Sequence, residues 1–108
     1  MKFKMTSEIK EKKFLISIAG NLDTGTCPAA EKKIDDALSK GAGNIDEVIL
    51  DLKNLIYISS LGLRILFKLS KQLPSRVKII NVPGDVMDIF KMTGIDRTMT
   101  VEARADKI

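Results

Sequence analysis

The chain has 108 residues, 44% apolar and 30% charged, with 18 basic against 14 acidic side chains for a net charge of +4. That length suits one domain, residues 1–108, with a single modest core, and the balance is that of a folded chain, not a disordered one. There is no histidine and only one cysteine, Cys27. His-based triads, imidazole metal ligands, zinc sites and an internal disulfide are therefore excluded, and neither metal nor cofactor is expected.

The basic surplus is scattered over Lys2, Lys4, Lys10, Lys12, Lys13, Lys32, Lys33 and beyond. Nucleic-acid binding would call for a dense stripe with aromatic stacking groups, and one Tyr, four Phe and no Trp do not supply them. No apolar run approaches the roughly 20 residues of a membrane span. The N-terminus, Met1-Lys2-Phe3-Lys4-Met5-Thr6, lacks the apolar centre of a signal peptide, so a cytoplasmic protein is expected.

Residues 2–9 alternate loosely and residues 13–19 are apolar on both faces; with the polar Lys10-Glu11-Lys12 between them they read as a β-hairpin. Gly20-Asn21-Leu22-Asp23-Thr24-Gly25 breaks the pattern. Thr24 or Thr26 then stands where it can cap a helix that tolerates Pro28 in its first turn. Ala30, Ile34, Ala37 and Leu38 make one buried stripe on that helix, which runs to about Lys40, while Glu31, Lys32, Lys33, Asp35 and Asp36 point to water. Gly41-Ala42-Gly43-Asn44 reads as its left-handed stop and a loop.

Residues 47–52 form a strand, and residues 62–73 a helix ended by Pro74-Ser75. Residues 76–81 are a second buried strand. Val82-Pro83-Gly84-Asp85 opens a short helix carrying Val86, Ile89 and Phe90, stopped by Thr93-Gly94. Residues 98–103 suit an edge strand and 105–108 a frayed tail. The order β-β-α-β-α-β-α-β implies an α/β fold: a mixed, largely parallel sheet of about five strands opened by a hairpin and packed by three to four helices. In such sheets binding sites gather where strand ends feed helix N-termini. The Asp23 loop and the Ser60 junction both follow strands, so they are expected side by side on one rim.

The stretch Tyr57-Ile58-Ser59-Ser60-Leu61-Gly62-Leu63-Arg64 joins a hydrophobic strand to an amphipathic helix. At 100° per residue, Ile65, Leu69, Leu73, Leu66, Leu63 and Phe67 cover an arc of about 200°. Gly62 falls inside that arc, where a missing side chain lets helix and sheet approach. Leu61 falls at the polar edge beside Lys68 and Gln72, which suits either an exposed apolar contact or a partly buried first-turn leucine; with Ser60 and Arg64 it is read as facing outward. Ser60 reads as an N-cap worth roughly 1 kcal/mol, in a position that also suits a reversible phosphate. It is not a nucleophile: there is no His base and no Gly-x-Ser-x-Gly motif. Asp23 alone is a loop-capping carboxylate, and Gly41-Ala42-Gly43 lacks the Lys-Ser/Thr of a P-loop.

Three motifs in order resemble the STAS domain family, in particular the small bacterial anti-sigma factor antagonists. They are Gly20-Asn21-Leu22-Asp23, then Val48-Ile49-Leu50-Asp51-Leu52 through Ile58-Ser59-Ser60-Leu61-Gly62-Leu63-Arg64, and last Ile89-Phe90-Lys91-Met92-Thr93-Gly94-Ile95. The resemblance implies partner switching. Such proteins bind an anti-sigma factor that is itself a serine kinase, are released when it phosphorylates a serine at the start of the helix after the third strand, and are restored by a metal-dependent serine phosphatase. The matching serine here is Ser60, and Asp23 matches an acidic loop residue near the partner-facing site, which gives Asp23, Thr24, Ser59, Ser60, Leu61 and Arg64 as the expected partner contacts. Many antagonists carry Asp where this chain has Ser59, which makes Ser59 a rival phosphate acceptor; Leu61 stands where Ser, Thr or Ala is common. The alternative within the resemblance is an unphosphorylated accessory subunit of a larger complex such as a lipid-transport ATPase.

Overall fold

In the computed structural model, which describes residues 2–41 and 45–105, the expected hairpin is built from β1 (Lys4–Lys10) and β2 (Lys13–Leu22). Its closing pair is Lys10 with Lys13, and the turn residues Glu11 and Lys12 both lie in the left-handed region, at φ 52° and 67°. Two such residues define the turn whose twist matches a hairpin, and Asn-Gly satisfies it with least strain. The double substitution Glu11→Asn, Lys12→Gly is expected to stabilise the domain by about 1 kcal/mol, read as a shift in urea midpoint without a change in slope.

Beyond the hairpin come α1 (Cys27–Gly41), β3 (Glu47–Asp51), β4 (Leu55–Ile58), α2 (Ser60–Gln72), β5 (Val77–Val82), α3 (Gly84–Thr93), α4 (Ile95–Thr98) and β6 (Thr100–Ala103). The main sheet order is β1-β2-β3-β5-β6, antiparallel only at β1-β2 and parallel elsewhere. The edge strand expected at the end of the chain is β6, and Ile95–Thr98 ahead of it is a separate short helix. The glycine loop expected at residues 42–44 and the tail at 106–108 lie outside the described residues.

Two features depart from the sequence reading. Gly20-Asn21-Leu22 does not end the second strand; it carries β2 onward through a bulge to a new neighbour, β4. Gly20 sits there at φ +86°, and a Cβ on it would lie 2.9 Å from the Lys2 carbonyl oxygen, so only glycine fits. β4 was also not anticipated. It follows β3 after a tight turn, held by Leu55 N–H donating to Leu52 C=O at 3.0 Å and Gly20 N–H donating to Asn54 C=O at 3.0 Å. β3 and β4 are thus two pieces of one broken strand alongside β2.

The burial alternates along the central strands. Phe14, Ile16 and Ile18 of β2, Val48 and Leu50 of β3, and Val77 and Ile79 of β5 are buried in one apolar cluster. That cluster also holds Ala30 and Ile34 of α1, Leu66 and Leu69 of α2, Phe90 of α3 and Ile95 of α4. All four helices therefore contribute to the same core, and the intervening strand residues look out from an uncovered sheet face. The α1 stripe lies inward as expected, with Ala37 only half-buried. Glu31 and Asp35, expected to face water alone, both reach Lys68 of α2, at 3.3 and 3.5 Å. Their hydrogen bonds and charge raise the Lys68 pKa, and its exposure makes the link a weak one.

Candidate functional site

The parallel pairing of β2 with β4 ends at Leu22 opposite Ile58, which brings the Asp23 loop and the Ser59-Ser60 junction together as expected. Ser59 locks them. Its N–H donates to the Leu22 carbonyl at 2.9 Å, and its hydroxyl donates to the same oxygen at 3.1 Å. The hydroxyl oxygen accepts from Gly62 N–H at 3.2 Å, and the Cys27 sulfur lies 3.9 Å away.

The helix cap is therefore Ser59, not Ser60 as read from the sequence. Ser59 has the extended backbone of an N-cap (φ −88°, ψ 172°) and is only 8% exposed. Ser60 is the first helical residue, and it is exposed. Either serine suits a cap by type; the Leu22 carbonyl selects the one that points inward.

Across the rim, Asp23 closes its own loop. Its Oδ1 accepts from the N–H groups of Gly25 at 3.0 Å and Thr26 at 3.1 Å. Asp23 N–H in turn donates to the Thr26 hydroxyl at 3.0 Å, and that hydroxyl donates to the Asn21 carbonyl at 2.8 Å. Of the two threonines expected as caps, Thr26 opens α1, accepting Ala30 N–H at its carbonyl; Thr24 is exposed. The loop is thereby closed by its own hydrogen bonds. Arg64, one turn beyond Ser60, is exposed, and Leu61 is half-buried against the core.

Gly62 is buried where α2 crosses the sheet. A Cβ there would stand 2.7 Å from Ile58 Cγ1 and 3.1 Å from Leu22 Cδ2. This close approach carries the N-terminus of α2, and Ser60 with it, onto the rim. Burial pushes the Cys27 thiol up, with Asp23 and Glu31 adding in the same direction and Ser59 opposing, so it is held as a neutral thiol and not as a nucleophilic thiolate. Among the described residues no group of three His, Cys, Asp or Glu side chains could hold a metal ion, and no helix is long and apolar enough to cross a membrane.

One rim residue escaped the sequence reading. Tyr57 is opposite Asn21 in the β2–β4 register and 51% exposed, an aromatic surface next to the Asp23 loop. Its signal was its place two residues before the cap in a chain with a single tyrosine.

The structure is a one-sided α/β domain with a hydroxyl-bearing rim where the β2 and β4 ends meet the start of α2. The chain belongs to the STAS domain family, which matches residues 4–108, and it is non-enzymatic. It is 24% identical over 94 residues to the anti-sigma-B factor antagonist of Bacillus subtilis, covering 84% of this chain and 83% of that one. Its fold is similar to that of an anti-sigma factor antagonist from Mycobacterium paratuberculosis, with a TM-score of 0.82 at 20% identity over 94% of this chain and 86% of the other. The unphosphorylated anti-sigma factor antagonist SpoIIAA has a TM-score of 0.76 at 19% identity, over 93% of this chain and 87% of its own. The protein is thus antagonist-like at low identity.

Proposed function

We propose that this protein is an anti-sigma factor antagonist that works by partner switching. Unphosphorylated, it binds an anti-sigma factor that is a serine kinase; phosphorylation of Ser60 ends the complex, and a serine phosphatase restores it. The observation that carries the reading is the division between the two serines. Ser59 spends its hydroxyl on the Leu22 carbonyl and Gly62 N–H inside the fold, whereas Ser60 is exposed on the rim. That a similar fold is found for SpoIIAA in a phosphorylated form, with a TM-score of 0.69, supports a domain able to carry the modification.

The physics favours exclusion over refolding. A phosphoserine adds about −1.5 to −2 charge at the first residue of α2, close to free N–H groups that tolerate an anion. The domain keeps its shape and the docked partner loses its seat. Asp23, Thr24, Leu61 and Arg64 flank the serine and complete the contact, with Ser59 holding the rim in place.

Ser60→Ala is expected to keep its affinity for the kinase partner and take up no phosphate. Ser60→Asp is expected to bind about a hundredfold more weakly, the effect of about 3 kcal/mol for an unpaired charge in an interface. Calorimetry with the purified kinase and mass mapping of the phosphorylated protein measure both. If both variants bind like the wild type, or phosphate maps to another residue, the reading is wrong.

A further inference from the structure

The uncovered face of the sheet has a chemistry of its own. Leu15 of β2 and Ile49 of β3 are both half-buried at its centre, over a shallow trough of about 390 Å³. Register places Glu8, Leu15, Ile49 and Lys78 in one row across β1, β2, β3 and β5. The order is acid, apolar, apolar, base. Turned about a line between β2 and β3, the row becomes its own complement.

In the neighbouring rows the relation holds at the two inner positions about the same line and not at the outer ones, where Thr6 of β1 and Ile80 of β5 end one row and Lys10 of β1 begins the other. Lys13 of β2 stands opposite Glu47 of β3, and Ser17 stands opposite Asp51. Among the described residues Lys13, Glu47 and Glu8 have no ion-pair partner, while Lys78 pairs with Glu102 at 2.9 Å. Asp51 gives its Oδ1 to Lys53 N–H and the Asn81 amide, which leaves Oδ2 for another donor.

We infer that this face binds a second copy of the chain around a two-fold axis running along the strands between β2 and β3. The axis lays Leu15 on Ile49 of the second copy, Glu8 on its Lys78, Lys13 on its Glu47 and the Ser17 hydroxyl on its Asp51. Each contact occurs twice, as a two-fold interface requires. Sheets stacked in this way lie about 10 Å apart, a gap that leucine and isoleucine side chains from both sides fill. The footprint, about 20 by 20 Å from strand spacing and rise, is small for a permanent dimer, so a weak, concentration-dependent one is expected. The face is opposite the helices, so the Ser60 rims of both copies stay open, and the inference stands independently of the switching mechanism.

The test is charge reversal read by sedimentation equilibrium over a concentration series, with far-ultraviolet circular dichroism confirming the fold. The wild type is expected to move from monomer to dimer mass. Lys13→Glu puts acid on acid twice and Glu47→Lys puts base on base twice, so each variant alone is expected to dimerise at least tenfold more weakly (about the effect of reversed rim charges). Mixed in equal amounts they restore both pairs, and a heterodimer is expected. Should either variant fail to fold, Glu8→Lys with Lys78→Glu repeats the test. A wild type that stays monomeric at every concentration, single reversals that dimerise as the wild type does, or a mixture that stays monomeric would overturn the inference.

Discussion

Gly62→Val is expected to destabilise the domain by about 3 kcal/mol, and Gly62→Ala by about 1 kcal/mol. Two effects oppose each other in the alanine variant. Removing glycine from the first turn of the helix gains at most about 1 kcal/mol of backbone entropy and propensity, the figure for a helix interior. Against it, the new Cβ falls 2.7 Å from Ile58 Cγ1 and 3.1 Å from Leu22 Cδ2 and Cγ. Neither neighbour can step aside: Leu22 is 1% exposed, and Ile58 is a β-branched residue that is 3% exposed. Overpacking of this kind costs about 1–3 kcal/mol, so the clash wins, and valine adds two further methyl groups to the same space. Thermal unfolding reads the loss as roughly 4–8 °C per kcal/mol. The contact itself is tested in an Ile58→Ala background, where Gly62→Ala should cost markedly less; an unchanged cost would mean that the crossing of α2 over β4 is not the cause.

That crossing was legible in the sequence because helical periodicity is unambiguous over α2. Leu66, Leu69 and Ile65 fix the buried face, and Gly62 falls inside it with no side chain to bury. The hairpin and the parallel order of the later strands were legible for a similar reason, since strand and helix signals alternate cleanly from β2 to α3. β4 was not. Leu55-Ile56-Tyr57-Ile58 is four residues long with both middle residues exposed, so it shows neither alternation nor a buried run. Its existence depends on the Gly20 bulge freeing the end of β2 to take a second neighbour, and such a pairing is a tertiary fact. Propensity at Gly20-Asn21 signalled a break and was overruled by that partner.

The rim divided in the same way. Its two loops were placed together by topology alone, since parallel strands deliver their C-terminal ends to one side. Which serine turned inward was not decided by residue type, because adjacent serines are equal candidates for a cap. The decision belongs to a carbonyl thirty-seven positions away, that of Leu22.

Ser59→Ala is accordingly expected to cost about 2 kcal/mol, while Ser60→Ala stays within about 0.5 kcal/mol of the wild type. The loss at Ser59 has a specific origin. The Leu22 carbonyl keeps its bond from Ser59 N–H, so it is not orphaned. Gly62 N–H does lose its acceptor, and Gly62 is buried, so water does not replace the bond. An unsatisfied buried donor costs about 1–3 kcal/mol, at the upper end of the range for losing a cap. Ser60 makes no side-chain hydrogen bond within the described residues and loses nothing comparable. Urea unfolding of the two alanine variants side by side measures the contrast. Equal losses would mean that the cap is shared between the serines and that Ser60 is not free for a partner or a phosphate; a loss confined to Ser59 leaves Ser60 as the hydroxyl the fold does not need.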